Sequence, residues 1–148
     1  MALQTPARQI RGFSLIELMI AVVLIMVSML AMLTSTLMSI STNLENDVRN
    51  TAIRVTNQTA EALLALPIED NEFTDGSDHV RIPGNALQNA KGFPSTTVTV
   101  RGYQQSYTIR WTVVSQTENV KEVAITVDYT FKTQPRTNTA VIYKHKAI

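Results

Sequence analysis

Residues 12–26 read GFSLIELMIAVVLIM, which places one carboxylate, Glu17, inside an otherwise apolar run. Across residues 13–33 Glu17 is the one ionisable side chain, with Ser14 and Ser28 as the remaining polar members. A helix rising about 1.5 Å per residue over that run covers on the order of 30 Å, the hydrocarbon thickness of a bilayer. The run is long enough to span a membrane. Arg8 and Arg11 precede it and no Lys or Arg follows until Arg49, so the charge asymmetry predicts a cytoplasmic amino terminus and an exported body. A secretory signal would be shorter and followed closely by small residues, whereas Ser39-Ile40-Ser41 comes late. A plain anchor leaves Glu17 unexplained, because ionisable residues in spanning helices are costly unless partnered. Part of that cost is relieved by snorkelling, since Glu17 is only about 6 Å by helical rise from Phe13.

Charge elsewhere is nearly balanced. Removing Arg8 and Arg11 from the 13 basic residues leaves 11 against 12 acidic ones, which is not the footprint of a general nucleic-acid binder. The chain has no cysteine, which rules out disulfides, thiolate metal sites and lipid attached at a thiol. A body of about eighty residues must therefore hold together by packing near the lower size limit for an independent core.

Beyond the apolar run, Leu37, Ile40, Leu44, Val48, Ala52, Val55, Ala62 or Leu63, and Leu66 recur at steps of three or four, one stripe of a helix. No Gly or Pro interrupts residues 13–66, and Pro67 then breaks the pattern. The simplest reading is one helix of about 54 residues, its second half packed on the body. Residues 67–94 are polar and punctuated by Pro and Gly, which predicts an irregular connection. Glu69, Asp70, Glu72, Asp75 and Asp78 read as a solvated acidic loop, since their spacing does not match a calcium loop; His79 has no companion imidazole.

After Pro94 the apolar period becomes two. Val98 and Val100, then Tyr107, Ile109, Trp111 and Val113, then Val123, Ile125, Val127, Tyr129 and Phe131 form three strands with one dry face, and a fourth covers residues 139–143. Turns are predicted at residues 102–106, 116–119 and 134–138. Short connections favour antiparallel neighbours, so the expected fold class is α+β: a four-stranded meander covering the exported half of the helix, with Trp111 in its core.

The residues RGFSLIEL at 11–18 resemble the processing site of type IV pilins and of the related pseudopilins of type II secretion: a short basic leader with Arg8 and Arg11, a glycine, then phenylalanine, and glutamate fifth in the mature chain. The resemblance implies that a prepilin peptidase cuts on the cytoplasmic side between Gly12 and Phe13. Phe13 then carries a new, N-methylated amino terminus and the apolar helix stays attached. The chain so divides into a leader (1–12), a transmembrane part of the helix (13–33), its exported amphipathic part (34–66) and a globular domain (67–148). Glu17 is expected to stand as an unpaired anion whose counter-ion is a neighbouring subunit's ammonium at Phe13, a charge pair that sets register between subunits. Several major pilins carry a helix-breaking Pro or Gly in the first half of this helix. This chain has neither, which argues against an abundant fibre-forming role.

The strands SYTIRWTVV (106–114) and KEVAITVDY (121–129) look like the carboxy-terminal sheet of PilV-like minor pilins of the pilus-modification type; pseudopilins of the I type are similar. The implied role is a minor structural subunit of a type IV pilus that primes assembly or modifies the tip, with a type II secretion minor pseudopilin of the I type as the alternative. Its partners would be other pilin or pseudopilin subunits, the peptidase and an inner-membrane assembly platform. Its place would be the bacterial inner membrane, single-pass, and then the fibre. No nucleophile elbow, phosphate loop, dinucleotide fingerprint or paired-histidine motif is present, so neither enzyme activity, cofactor nor metal is expected. A stalk-displayed adhesin or DNA-binding module would need a surface patch, for which Lys144 and Lys146 are the candidates; a nucleic-acid partner has no other support.

Overall fold

The computed structural model describes residues 14–76, 79–84 and 90–146. They fall into two compact units, one ending at Ser41 and one beginning at Thr42. A single uninterrupted helix, α1 (Leu15–Ala65, 51 residues), contributes to both. It stops where expected, because Pro67 offers no N–H and disfavours helical geometry in the residue before it. In the first unit every described residue up to Ile40 is exposed, including Leu37 and Ile40. The buried stripe begins only at Val48.

In the second unit α1 buries Val48, Ala52, Val55, Thr56, Thr59, Ala62 and Leu63 against an antiparallel sheet. The strands are β1 (His79–Arg81), β2 (Thr97–Val100), β3 (Tyr103–Thr117), β4 (Val120–Phe131) and β5 (Gln134–His145). Their order is β1-β3-β4-β5, with β2 paired to the opening residues of β3. The period-two residues point inward as read: Tyr107, Ile109, Trp111 and Val113 on β3 meet Val123, Ile125 and Val127 on β4, and Phe73 and Phe93 close the same core. The two buried threonines were not expected. Their hydroxyls donate to the Ala52 and Val55 carbonyls at 2.9 and 2.8 Å, which satisfies them inside the helix, and Asn138 Nδ2 donates to Thr56 Oγ1 at 2.7 Å. That last bond ties the edge strand to the helix.

Three expectations need correction. The sheet has a fifth strand, β1, inside the supposed irregular connection; three residues are too few to show a period, and its partner residues 109–111 are distant in sequence. The turns are tighter than predicted, so β3, β4 and β5 are longer. Arg101–Gly102 and Lys132–Thr133 are two-residue hairpin turns with φ of 48° and 82°, and of 46° and 67°, the primed geometry that matches strand twist. Pro135, read as part of a turn, lies in β5 opposite Thr130, which an edge strand tolerates.

Thr133 is a β-branched residue at positive φ, a position that suits glycine or asparagine. Thr133→Gly should therefore raise stability by about 0.5–1 kcal/mol, read as a higher thermal midpoint; an unchanged or lower midpoint would show that no strain resides there.

Tyr107 is fully buried and its hydroxyl donates to the Val48 carbonyl at 3.1 Å. Burial pushes its pKa up to about 12, above the value of about 10 for an unfolded chain. The neutral form is thus favoured in the fold, and its contribution is complete below pH ~10 and lost as pH rises toward about 12. Alkaline unfolding should steepen across that window, and Tyr107→Phe should flatten it while costing the hydroxyl's hydrogen bonding to Val48 and Thr51. A wild-type profile in the variant would assign the alkaline loss to other groups.

Candidate processing and assembly site

The first described residues build a helix start. Glu17 Oε2 accepts the Ser14 backbone N–H at 3.0 Å, and Ser14 Oγ accepts the Glu17 N–H at 3.3 Å. The Leu18 N–H closes the first turn on the Ser14 carbonyl at 3.2 Å. This is a reciprocal capping box, in which each side chain satisfies the other residue's orphan donor. Glu17 thus has a local hydrogen-bond partner, and no cation pairs with it among the described residues. Its carboxylate caps the positive end of the helix dipole and is turned back toward the amide that joins Phe13 to Ser14. The signal was present as S-x-x-E before an apolar run, and Ser14 is the residue that the sequence reading missed.

One capping bond does not exhaust a carboxylate, which offers about four lone-pair sites on two oxygens. Around it stand Leu15, Ile16, Leu18, Met19 and Ile20, all more than half exposed, a surface that water would not tolerate but lipid or other helices would. Arg8, Arg11, Gly12 and Phe13 lie outside the described residues.

The acidic connection is not uniformly solvated. Asp70 caps a short 3₁₀ turn (Asn71–Phe73) through the Glu72 N–H at 3.0 Å and pairs with Lys91. The Lys91 ammonium, followed by that N–H, holds the Asp70 carboxyl below its ordinary range. Glu72 is the exception to the loop reading: its side chain is 12% exposed and binds Arg81 Nη2 at 2.6 Å. His79 stacks flat on Trp111 with centroids 5.2 Å apart, and Phe93 stacks on Trp111 at 5.0 Å. Trp111 Nε1 donates to the Glu72 carbonyl at 3.0 Å. The loop is pinned to the core by these contacts. Asp75 accepts from Ser115, and Asp78 lies outside the described residues. Among the described residues no three His, Asp or Glu side chains converge as metal ligands.

The carboxy-terminal lysines are also engaged. Lys144 Nζ donates to the Leu64 carbonyl in the last turn of α1, where a cation complements the dipole. Lys146 lies 3.5 Å from Glu69. A patch built on these two cations would have to compete with contacts they already make.

Residues 7–33 match the prokaryotic N-terminal methylation motif. The chain carries a prepilin-type amino terminus. The match covers Arg8, Arg11, Gly12, Phe13, the Ser14–Glu17 capping box and the apolar run, and it supports a place among the type IV pilins and pseudopilins. With the exposed apolar helix it also supports membrane anchoring. No curated protein and no solved structure matches the chain, so the motif identifies the amino terminus of this pilin-like chain and the fold describes its body.

Proposed function

We propose that this chain is a minor pilin-like structural subunit, cut by a prepilin peptidase between Gly12 and Phe13, that enters a type IV pilus through its amino-terminal helix and primes assembly or modifies the tip. In this reading the leader cations Arg8 and Arg11 keep the amino terminus cytoplasmic, the body is periplasmic, and an inner-membrane platform receives the helix. The observation that carries it is the capping box inside the methylation motif: Glu17 is preset at the helix start with lone pairs to spare. A neighbouring subunit's methylated Phe13 ammonium supplies the cation. Because the cap already relieves part of the carboxylate's isolation, the pair acts as a register device, while the apolar faces supply contact area. A minor pseudopilin of type II secretion shares the same motif and would use the same contact.

Two measurements test this. Mass spectrometry of the membrane-fraction protein should find Phe13 as the amino terminus with one added methyl group; a chain beginning at Met1, or one that has lost the apolar helix, would overturn the reading. Glu17→Gln keeps a capping-box acceptor but removes the charge, so processing should persist while incorporation into filaments falls by about ten-fold, the equivalent of ~1.4 kcal/mol. Wild-type incorporation of that variant would leave Glu17 as a helix cap alone.

A further inference from the structure

The two short hairpins of the sheet carry the same kind of residue at the same kind of place. In the β2–β3 turn Arg101 has φ of 48°, and in the β4–β5 turn Lys132 has φ of 46°, first turn positions that favour Asn, Asp or Gly. A cation stands at each tip against the local backbone preference, a departure that points to a role beyond folding. The turn at the other end of the strands, between β3 and β4, carries Glu118 instead. Both cationic tips are fixed to one stretch of α1. Val100 and Phe131, each next to its turn, cluster with Val48 and Leu44, while Arg101 pairs with Asp47, and Arg136 with Glu45 at 2.9 Å.

Charge at this end of the body is one-sided. Arg54 lines the same recess as Asp47 and Arg101, and Arg49 lies one helical turn beyond Glu45 on α1. Whatever the pairing, Glu45 and Asp47 can neutralise at most two of the five cations Arg49, Arg54, Arg101, Lys132 and Arg136, which leaves three in excess. The Arg101 and Arg136 side chains are 63% and 51% exposed. Such a surface suits an anionic partner.

Chain length says which one. Every residue from Leu15 to Ile40 is exposed, and as a helix they rise about 39 Å, close to the thickness of a bilayer with its headgroups, about 40–45 Å. Thr34, Ser35, Thr36 and Ser39 fall in the last two turns of that length, at headgroup depth. Glu45, Asp47 and Val48, the residues that hold the tips, follow within about two further turns. Tyr103, 62% exposed beside the Arg101–Gly102 turn, is an aromatic of the type that collects at that boundary. A dissolved anion or an acidic protein would call for the cations but for neither the tyrosine nor this spacing.

We propose that the two hairpin tips dock on an anionic lipid surface, with Arg101 and Lys132 at the headgroups, and so fix how the body sits on the bilayer. The inference rests on α1 spanning a membrane and is independent of processing, of Glu17 and of assembly into a fibre. The test uses the full chain in lipid nanodiscs of phosphatidylcholine, alone or mixed with phosphatidylglycerol. Because the chain has no cysteine, Thr133→Cys places a donor dye at one tip and Asn119→Cys places it at the opposite turn, with an acceptor dye on trace headgroups. Energy transfer from position 133 should rise when phosphatidylglycerol is added and return to the phosphatidylcholine value at about 1 M salt, where the screening length is ~3 Å. Transfer from position 119 should not rise. Arg101→Gln combined with Lys132→Gln should lower the docked-to-undocked ratio about ten-fold or more with an unchanged thermal midpoint. Equal transfer in the two lipids, or a rise that survives the double variant, would overturn the proposal. So would pairing of discs through their bodies, seen by sedimentation and lost in the double variant, which would make the partner an acidic protein surface. Failure of the chain to co-elute with either disc would overturn the spanning helix and the docking together, whereas failed docking alone leaves the helix in place.

Discussion

Glu72→Ala should destabilise the body by about 3–5 kcal/mol, the cost of leaving one half of a buried ion pair without its partner. Arg81 is 6% exposed as a residue and has little water to turn to. Its guanidinium carbon lies 4.9 Å from the centre of Phe93 and 5.3 Å from that of Trp111; those ring faces attract a cation but cannot accept its hydrogen bonds as a carboxylate does. The ε-nitrogen of Arg81 already has no hydrogen-bond partner among the described residues, so the Glu72 carboxylate is what holds the desolvated cation. For a unit of this size each kcal/mol moves the thermal midpoint by about 4–8 °C. A fall of at least ~12 °C is therefore expected by circular dichroism on the full chain in detergent. Replacing both partners, Glu72→Leu with Arg81→Met, should recover most of the loss, because a buried pair is worth little against apolar side chains of similar size. A loss below about 1 kcal/mol in Glu72→Ala would mean that water reaches Arg81, as at a surface pair.

Trp111→Ala should cost a similar amount, about 3–5 kcal/mol, through a different term. Trp111 is 1% exposed and stacks with the rings of both His79 and Phe93, so its removal opens a cavity and also frees the Glu72 carbonyl that its indole N–H satisfies. Trp111→Phe separates the two contributions: it keeps an aromatic ring but loses the donor, and should cost about 1–3 kcal/mol. Urea unfolding followed by circular dichroism reads both, since the chain has a single tryptophan and fluorescence is lost with it. Equal costs for the alanine and phenylalanine variants would place the whole effect in the hydrogen bond. Because Trp111 and Glu72 hold the same loop, the Glu72→Ala, Trp111→Ala double variant should lose less than the sum of the two.

These two residues also mark where reading the sequence stopped. Trp111 was legible as core because it alternates with Thr112 and Arg110 on a strand, and alternation reports which face is dry. Glu72 was not: an acidic residue among Asp, Asn and Gly reads as solvated, and nothing local reveals that Arg81, His79 and Lys91 reach its carboxylate and Trp111 its carbonyl. The turns were misplaced for a related reason. Arg101, Lys132 and Thr133 are not residues that advertise positive φ, so the polar stretches around them looked like longer loops. At the amino terminus the failure was of another kind. The S-x-x-E spacing of the capping box is legible in the sequence, but an acid inside an apolar run points first to its membrane cost and not to Ser14 as its nearest partner.

The sequence by itself determined the apolar helix with its preset carboxylate, the prepilin-type motif and the inward faces of three strands, because each is a pattern repeated over neighbouring residues and sterics impose its period. Only the tertiary structure decided what Glu72, Lys144 and Gln105 touch, where β1 docks, and that the Arg101 and Lys132 turns meet the same stretch of α1. Such contacts join groups as far apart as Leu64 and Lys144, or Gln105 and Thr130. They exist once the chain has folded, when desolvation makes each buried polar atom take the partner within reach.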